Sequence, residues 1–224
     1  MKPFSWGLRP QAPCPDFSNF MKRNRDIIRW FIQQVDWVVP SNLAYLIYGR
    51  CDRKLERTYA SELSEMLKVK DSSLRLRKIV NQDGKHAYTR YAKVLPTFSF
   101  NHDCALRNVI GKFLKVRNVD EAREVSLERP SDASILHYRL ELDNGHMDSK
   151  QLKQKIKKYY TEGNIQAVFI MRHRENPDCE GARLQKIFDI SEELFYDQPN
   201  RILGACYLKF LNNGKLFNRK GDER

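Results

Sequence analysis

Between residues 129 and 171 the chain reads RPSDASILHYRLELDNGHMDSKQLKQKIKKYYTEGNIQAVFIM: an extended segment, a Lys-rich amphipathic helix and an apolar strand in succession. Strand, helix and strand at this length imply a parallel crossover, since an antiparallel return needs only a tight turn. The back half is therefore predicted to be an α/β sheet. In the helix, over about 149–160, Leu152, Ile156 and Tyr159 share a buried stripe while Lys150, Lys153 and Lys157 share another face. Residues 165–171 form a core strand by their AVFIM run. Upstream, Asn101 or His102 caps a helix whose apolar Leu106, Val109, Ile110, Phe113 and Leu114 follow the three-four spacing. A strand near 123–127 and an extended run over 133–142 lie between. Downstream come a polar loop, a helix over 184–195, a strand over 201–211 that edges the sheet, and a mobile tail over 212–224.

The front half has a different order. Ile27, Ile28, Phe31, Ile32 and Val35 mark an amphipathic helix over 21–35, and Trp37–Val39 give a short extended piece. Pro40 breaks that piece, Ser41 caps a helix through Leu43, Leu46 and Ile47, and Gly49 ends it. A third helix spans 53–67, with Leu55, Tyr59 and Leu63 inward. Then Leu74, Leu76 and Val80 alternate with charged residues, Gly84 sits in a turn, and residues 87–94 return. Helix, strand, helix, helix, hairpin is the order of a winged helix-turn-helix, whose third helix enters the major groove and whose hairpin lies along a backbone or minor groove. Expected divisions are an arm over 1–20, a winged helix over 21–96 and an α/β domain over 97–211.

The charge supports a polyanionic partner. Lys and Arg number 40 against 28 Asp and Glu, a formal charge of +12. The excess is concentrated ahead of residue 97, where 18 basic residues face 9 acidic ones. Arg75, Arg77, Lys78, Lys85, Arg90 and Lys93 face only Asp83 within the hairpin, a composition suited to phosphate contact. Arg53, Lys54 and Arg57 open the third helix, but Glu56, Glu62 and Glu65 on it would repel phosphate if turned to the groove. Five scattered cysteines without a CxxC pair argue against a disulfide framework or zinc knuckle and fit a reduced, cytoplasmic setting. No apolar run approaches the roughly 18 residues of a membrane span.

Glu141 and Asp143 stand two apart at a strand end, so both project from one face. Paired carboxylates repel unless a cation or protons lie between them, which makes the spot a candidate seat for Mg²⁺ or Mn²⁺. Lys150 or Lys153, just downstream, could offset charge on a scissile phosphate. Cys104 reads as packing, His137 and His146 as structural or surface histidines, His102-Asp103 as a helix cap and the lysines over 155–158 as a wet face.

The order of winged helix, His102-Asp103 on a helix, Pro130-Ser131-Asp132 at a strand entry, Glu141-x-Asp143-x-Gly145, then a helix with K-x-x-x-K resembles the replication-relaxation family of plasmids and conjugative elements. The resemblance covers about 21–171. It implies a restriction-endonuclease-like fold behind the winged helix, with Asp132 and Glu141 as metal carboxylates and Asp143 where nucleases of that fold often carry Lys. A serine splits the Pro-Asp pair. On one unbroken strand Asp132 and Glu141 would face opposite ways, so they meet only if the chain turns between them, near Leu136-His137.

Two functions follow as expectations. One is a DNA-binding protein of a mobile element, acting in its replication, mobilisation or regulation, with an inactive nuclease-like domain. The other is a metal-dependent nickase or endonuclease in which Asp132, Glu141 and Asp143 hold the ion and Lys150 or Lys153 assists. Double-stranded DNA is the expected partner of both, and RNA binding is a third alternative. A second copy of the chain and the element's replication or mobilisation proteins are candidate protein partners.

Overall fold

The computed structural model describes residues 24–71, 75–91, 93–117, 125–127, 132–161, 165–173, 179–194, 196, 198 and 200–223. It has mixed α/β architecture, with seven helices and two sheets among those residues. The arm expected over 1–20 and Leu74 lie outside them.

Helix α1 (Asn24–Val35), strand β1 (Trp37–Val38), helices α2 (Pro40–Tyr48) and α3 (Arg53–Leu67), and strands β2 (Arg77–Val80) and β3 (His86–Thr89) occur in the expected order. The three strands form an antiparallel sheet ordered β1-β3-β2. Pro40 begins α2 instead of merely breaking the strand, because a first helical position needs no N–H donor. Asn42, not Ser41, does the capping: its Oδ1 accepts from Val39 N at 2.8 Å. Gly49 ends α2 in the left-handed region, φ 66°. Asp52 caps α3 by accepting from Leu55 N at 2.9 Å. At the hairpin turn, Asn81 Oδ1 accepts from Asp83 N and Lys85 N.

Helix α4 (Phe100–Val116) joins the front sheet to a second, five-stranded one. That sheet contains β4 (Val125–Ser126), β5 (Ala133–Ile135), β6 (Tyr138–Asp143), β7 (Gln166–Met171) and β8 (Ile202–Cys206) in sequential order. The first three strands are antiparallel; β6, β7 and β8 run parallel, linked by α5 (Ser149–Thr161) and α6 (Cys179–Leu194). The run expected over 133–142 is broken by a turn at Leu136-His137, with Leu136 at φ 53°. The strand expected over 201–211 stops at Cys206 and becomes α7 (Tyr207–Asn213), whose Tyr207, Phe210 and Leu211 are buried one helical turn apart. Residues 212–223, expected as a mobile tail, instead fold back. Leu216 is fully buried, and Phe217 exchanges two backbone hydrogen bonds with Gly204 of β8, at 2.9 and 3.0 Å.

The large sheet alternates strictly. Leu140, Leu142, Val168, Ile170, Leu203 and Ala205 join α4 and α7 on one face, whereas Ala167, Phe169, Met171 and Ile202 join α5 and α6 on the other. The first of these clusters continues into α1, α2 and α3, with no break at Pro96. Helix α4 is therefore enclosed from two sides. Gly111 lets its backbone touch α2, where an added Cβ would stand 2.9 Å from Leu46 N. Arg107, buried, donates to Val35 O, Trp37 O and Asp103 O at 2.7–3.1 Å and lies 3.7 Å over the Trp37 ring. Lys112, also buried, donates to Gly49 O at 2.6 Å and Asn212 O at 3.3 Å, so one ammonium serves the carbonyl ends of α2 and α7.

Candidate functional site

Two stretches of the front half expose clustered basic residues. Arg53, Lys54 and Arg57 are exposed along the first two turns of α3, and Arg75, Arg77 and Lys78 are exposed on or beside β2, an edge strand. A groove of about 540 Å³ connects α3 to the hairpin, with Arg53, Arg57, Lys85 and His86 on its walls and Phe100 and Cys104 of α4 also lining it. Lys85 donates to Asn101 Oδ1 at 3.2 Å and lies over the Phe100 ring. Lys93 is tied back to Asp36 at 2.7 Å, and Arg90 is half-buried at the end of β3. The acids of α3 are partly compensated: Glu62 pairs with Arg25 and Glu65 with Lys68. Glu56 remains on the groove wall. Burial pushes the Cys104 thiol up to about 11, which fits its reading as a packing residue.

At the tip of β6 the turn at Leu136-His137 makes β5 and β6 antiparallel neighbours, with Ala133 opposite Leu140. Asp132 is thereby carried beside the end of β6, where its Oδ2 accepts from Leu142 N at 2.8 Å. Glu141 and Asp143 share the face toward α5 and α6, as their spacing requires. Glu141 is only 1% exposed. Its carboxyl receives hydrogen bonds from Lys155 and Tyr159, successive turns of α5. Asp143 accepts from Arg183 of α6 at 2.8 Å and from Gly145 N at 2.7 Å. On the opposite side His102 touches Asp103 through Nδ1 at 3.3 Å, approaches Leu142 O at 3.2 Å through Nε2 and stands 3.8 Å from Asp132. The His102-Asp103 pair thus joins the first turn of α4 to the strand tip.

The lysines expected at the cluster are not the ones that reach it. Lys153 pairs with Glu193 of α6, and Lys150 is exposed at the start of α5. Lys155, read from sequence as part of a wet face, lies one turn before Tyr159 and turns inward to Glu141. Arg183 had no sequence motif to mark it. The available signal was a charge argument: two acids on the core-facing side of a strand call for cations from the covering helices.

Burial raises the Glu141 carboxyl to about 8; the Asp132 charge adds to the rise, Lys155 opposes it by charge and hydrogen bond, and Asp143 adds a smaller increment. The hydrogen bond to Asp103 is the leading cause that raises His102 above its ordinary value, with burial opposing and Asp132 and the Leu142 carbonyl assisting. For Asp103, burial alone would raise the carboxyl, but His102, Arg107 and Ser99 together bring it below the ordinary value.

These shifts predict a pH slope. Glu141 holds its proton longer folded than unfolded, so its contribution is most favourable below its ordinary value of 4.5 and is lost as pH rises to about 8. Stability is expected to fall by ~2–4 kcal/mol across that window. His102, also raised, contributes in the same sense. Glu141→Gln should flatten the Glu141 part of the slope in denaturant titrations at pH 5, 6, 7 and 8; an unchanged slope would rule out this burial of an acid.

Among the described residues no three His, Cys, Asp or Glu side chains converge to hold an ion. Both oxygens of Glu141 and of Asp143 are engaged by protein donors. As arranged, these carboxylates do not fit Mg²⁺ or Mn²⁺, whose oxygen ligands must be directed at the ion. What they do form is a cross-layer lock from β6 to α5 and α6. A cleft of about 220 Å³ opens beyond it at the carboxyl ends of β6 and β7, with Asp143, Arg172, His173, Glu180 and Arg183 on its walls.

Comparison with family models, with curated proteins and with solved structures finds no match to this chain. No helix among the described residues is long and apolar enough to cross a membrane.

Proposed function

We propose that this chain is a duplex-DNA-binding protein of a mobile genetic element, acting in its replication, mobilisation or regulation. In this reading residues 24–96 act as a winged helix-turn-helix and the larger sheet as a restriction-endonuclease-like domain whose acidic tip has become structural. The observation that carries it is the basic face: β2 and the start of α3 present Arg75, Arg77, Lys78, Arg53 and Arg57, with a groove between α3 and the hairpin. Three helices with a three-stranded antiparallel sheet ordered β1-β3-β2 support this reading. The hydrogen-bonded state of Glu141 and Asp143 favours binding over hydrolysis.

A second reading, a metal-dependent nickase, is favoured by one observation, the hairpin that brings Asp132 beside Glu141. It requires the carboxylates to exchange Lys155, Tyr159 and Arg183 for an ion.

Both readings are decided on one preparation. Affinity for a 20–30-base-pair duplex, measured by anisotropy from low to high salt, is expected to fall steeply and log-linearly. Neutralising Arg75, Arg77 and Lys78 to Gln should make the slope shallower by about 2–3. A wild-type affinity insensitive to salt would refute duplex binding. Supercoiled plasmid incubated with Mg²⁺ or Mn²⁺ should stay closed; nicking that Glu141→Ala abolishes would establish the nickase instead.

A further inference from the structure

Between the hairpin and α4 the chain passes through Lys93-Val94-Leu95-Pro96-Thr97-Phe98-Ser99, a segment held in its middle and at both ends, the second end by Ser99 donating to Asp103 Oδ2 at 3.0 Å. Lys93 is paired with Asp36, Asn81 at the hairpin turn donates to Pro96 O at 3.3 Å, and Leu95 is buried with Trp37, Ala87 and Phe100. The anchoring leaves its other apolar side chains outside. Val94 is 93% exposed and Phe98 is 100% exposed. A phenylalanine with no apolar cover among the described residues is costly, and here it stands on a fixed segment packed along a hairpin that carries Arg75, Arg77, Lys78 and Lys85.

We infer that Phe98 is a wedge that enters the minor groove of bound duplex DNA and partly unstacks a base step. The inference rests on the duplex-binding reading above and deepens it. Charge selects the occupant. The segment is tied to the hairpin turn by Asn81 and flanked by Lys85, which reaches Asn101 and Phe100, so a polyanion that neutralises the basic hairpin also offers an apolar base step to the ring. Wedges of this kind kink the duplex, and flexible pyrimidine–purine steps accept the kink most readily. The inferred ligand is thus a bendable duplex gripped by phosphate contacts from the hairpin and opened by Phe98. Because the ring is fully exposed, Phe98→Ala should leave folding intact, to be checked by its thermal midpoint.

The test uses a 24-base-pair duplex with a central TA step, dye-labelled at both ends for energy transfer, and a second copy carrying 2-aminopurine at that step. With the wild-type chain, end-to-end transfer should rise and 2-aminopurine should brighten. With Phe98→Ala both signals should be lost and affinity should drop about tenfold, while the salt slope is retained. A variant that bends and unstacks DNA as the wild type does would overturn the wedge, as would a wild type that binds with a steep salt slope yet leaves the duplex straight. Concentration-dependent self-association in sedimentation that Phe98→Ala removes would also overturn it and assign the ring to a second copy. Failure of the wild type to bind duplex at all is a different result, and it refutes the duplex-binding reading itself.

Discussion

Gly111→Ala is expected to lower the unfolding free energy by about 3 kcal/mol, although alanine ordinarily favours a helix over glycine by about 1 kcal/mol. The sign follows from what the new methyl meets. It would stand 2.9 Å from Leu46 N and 3.0 Å from Asn42 O, both backbone atoms of α2 that cannot swing aside as a flexible side chain could. The helices would have to separate, loosening the packing of Leu43, Leu46 and Ile47 against Ile110 and Leu114. Gly181 supplies the contrast. It lies in α6 with no described residue within 4 Å of its would-be Cβ, so Gly181→Ala should stabilise by roughly 0.5–1 kcal/mol. Urea denaturation of the two variants should therefore move in opposite directions. A Gly111→Ala protein as stable as the wild type would mean that α2 and α4 do not approach this closely.

Arg107→Ala should cost ~3–5 kcal/mol. The guanidinium donates to carbonyls at the end of α1 and on β1, so its removal takes a buried donor from Val35 O and Trp37 O together. It also covers the face of Trp37, which on its other contacts stacks with Phe100. Burial lowers the guanidinium to about 10, still charged throughout the neutral range, so no pH near 7 relieves the demand for these acceptors. Lysine is expected to restore less than half of the loss, because one ammonium cannot span two carbonyls and lie flat on an indole. Equal stability of the Arg107→Lys and wild-type proteins in guanidinium titration would show that charge alone, without the planar fork, suffices.

Much of the front half could be read directly from the residues. Isoleucines and leucines at helical spacing and Gly49 after α2 each state a local preference that tertiary packing does not oppose. The turn at Leu136-His137 entered only as the condition for Asp132 and Glu141 to meet, because residues 133–142 taken alone read as one extended run. The polar side of α4 was not legible. Arg107 and Lys112 look like solvent residues to any reading by residue type, yet each finds carbonyl acceptors that only the folded helices bring together. Lys155 misled for the same reason. Its neighbours in sequence are wet, but its place one turn before Tyr159 directs it to Glu141. Helix α7 was read as strand because β8 enters it without a glycine or proline to mark the change. The carboxylates' locations were anticipated, and their engagement by Lys155, Tyr159 and Arg183 was not.

Lys112 gives the chain a constraint on its assembly. One ammonium closes the last turn of a helix in the first fifty residues and the last turn of another beyond residue 206. Removing either helix leaves this buried ammonium short of an acceptor, so α4 is finished only when both helices are in place. The same core cluster runs from α1 to Leu216 without a seam, so a cut near Pro96 is expected to expose apolar surface on both fragments instead of releasing two independent folds.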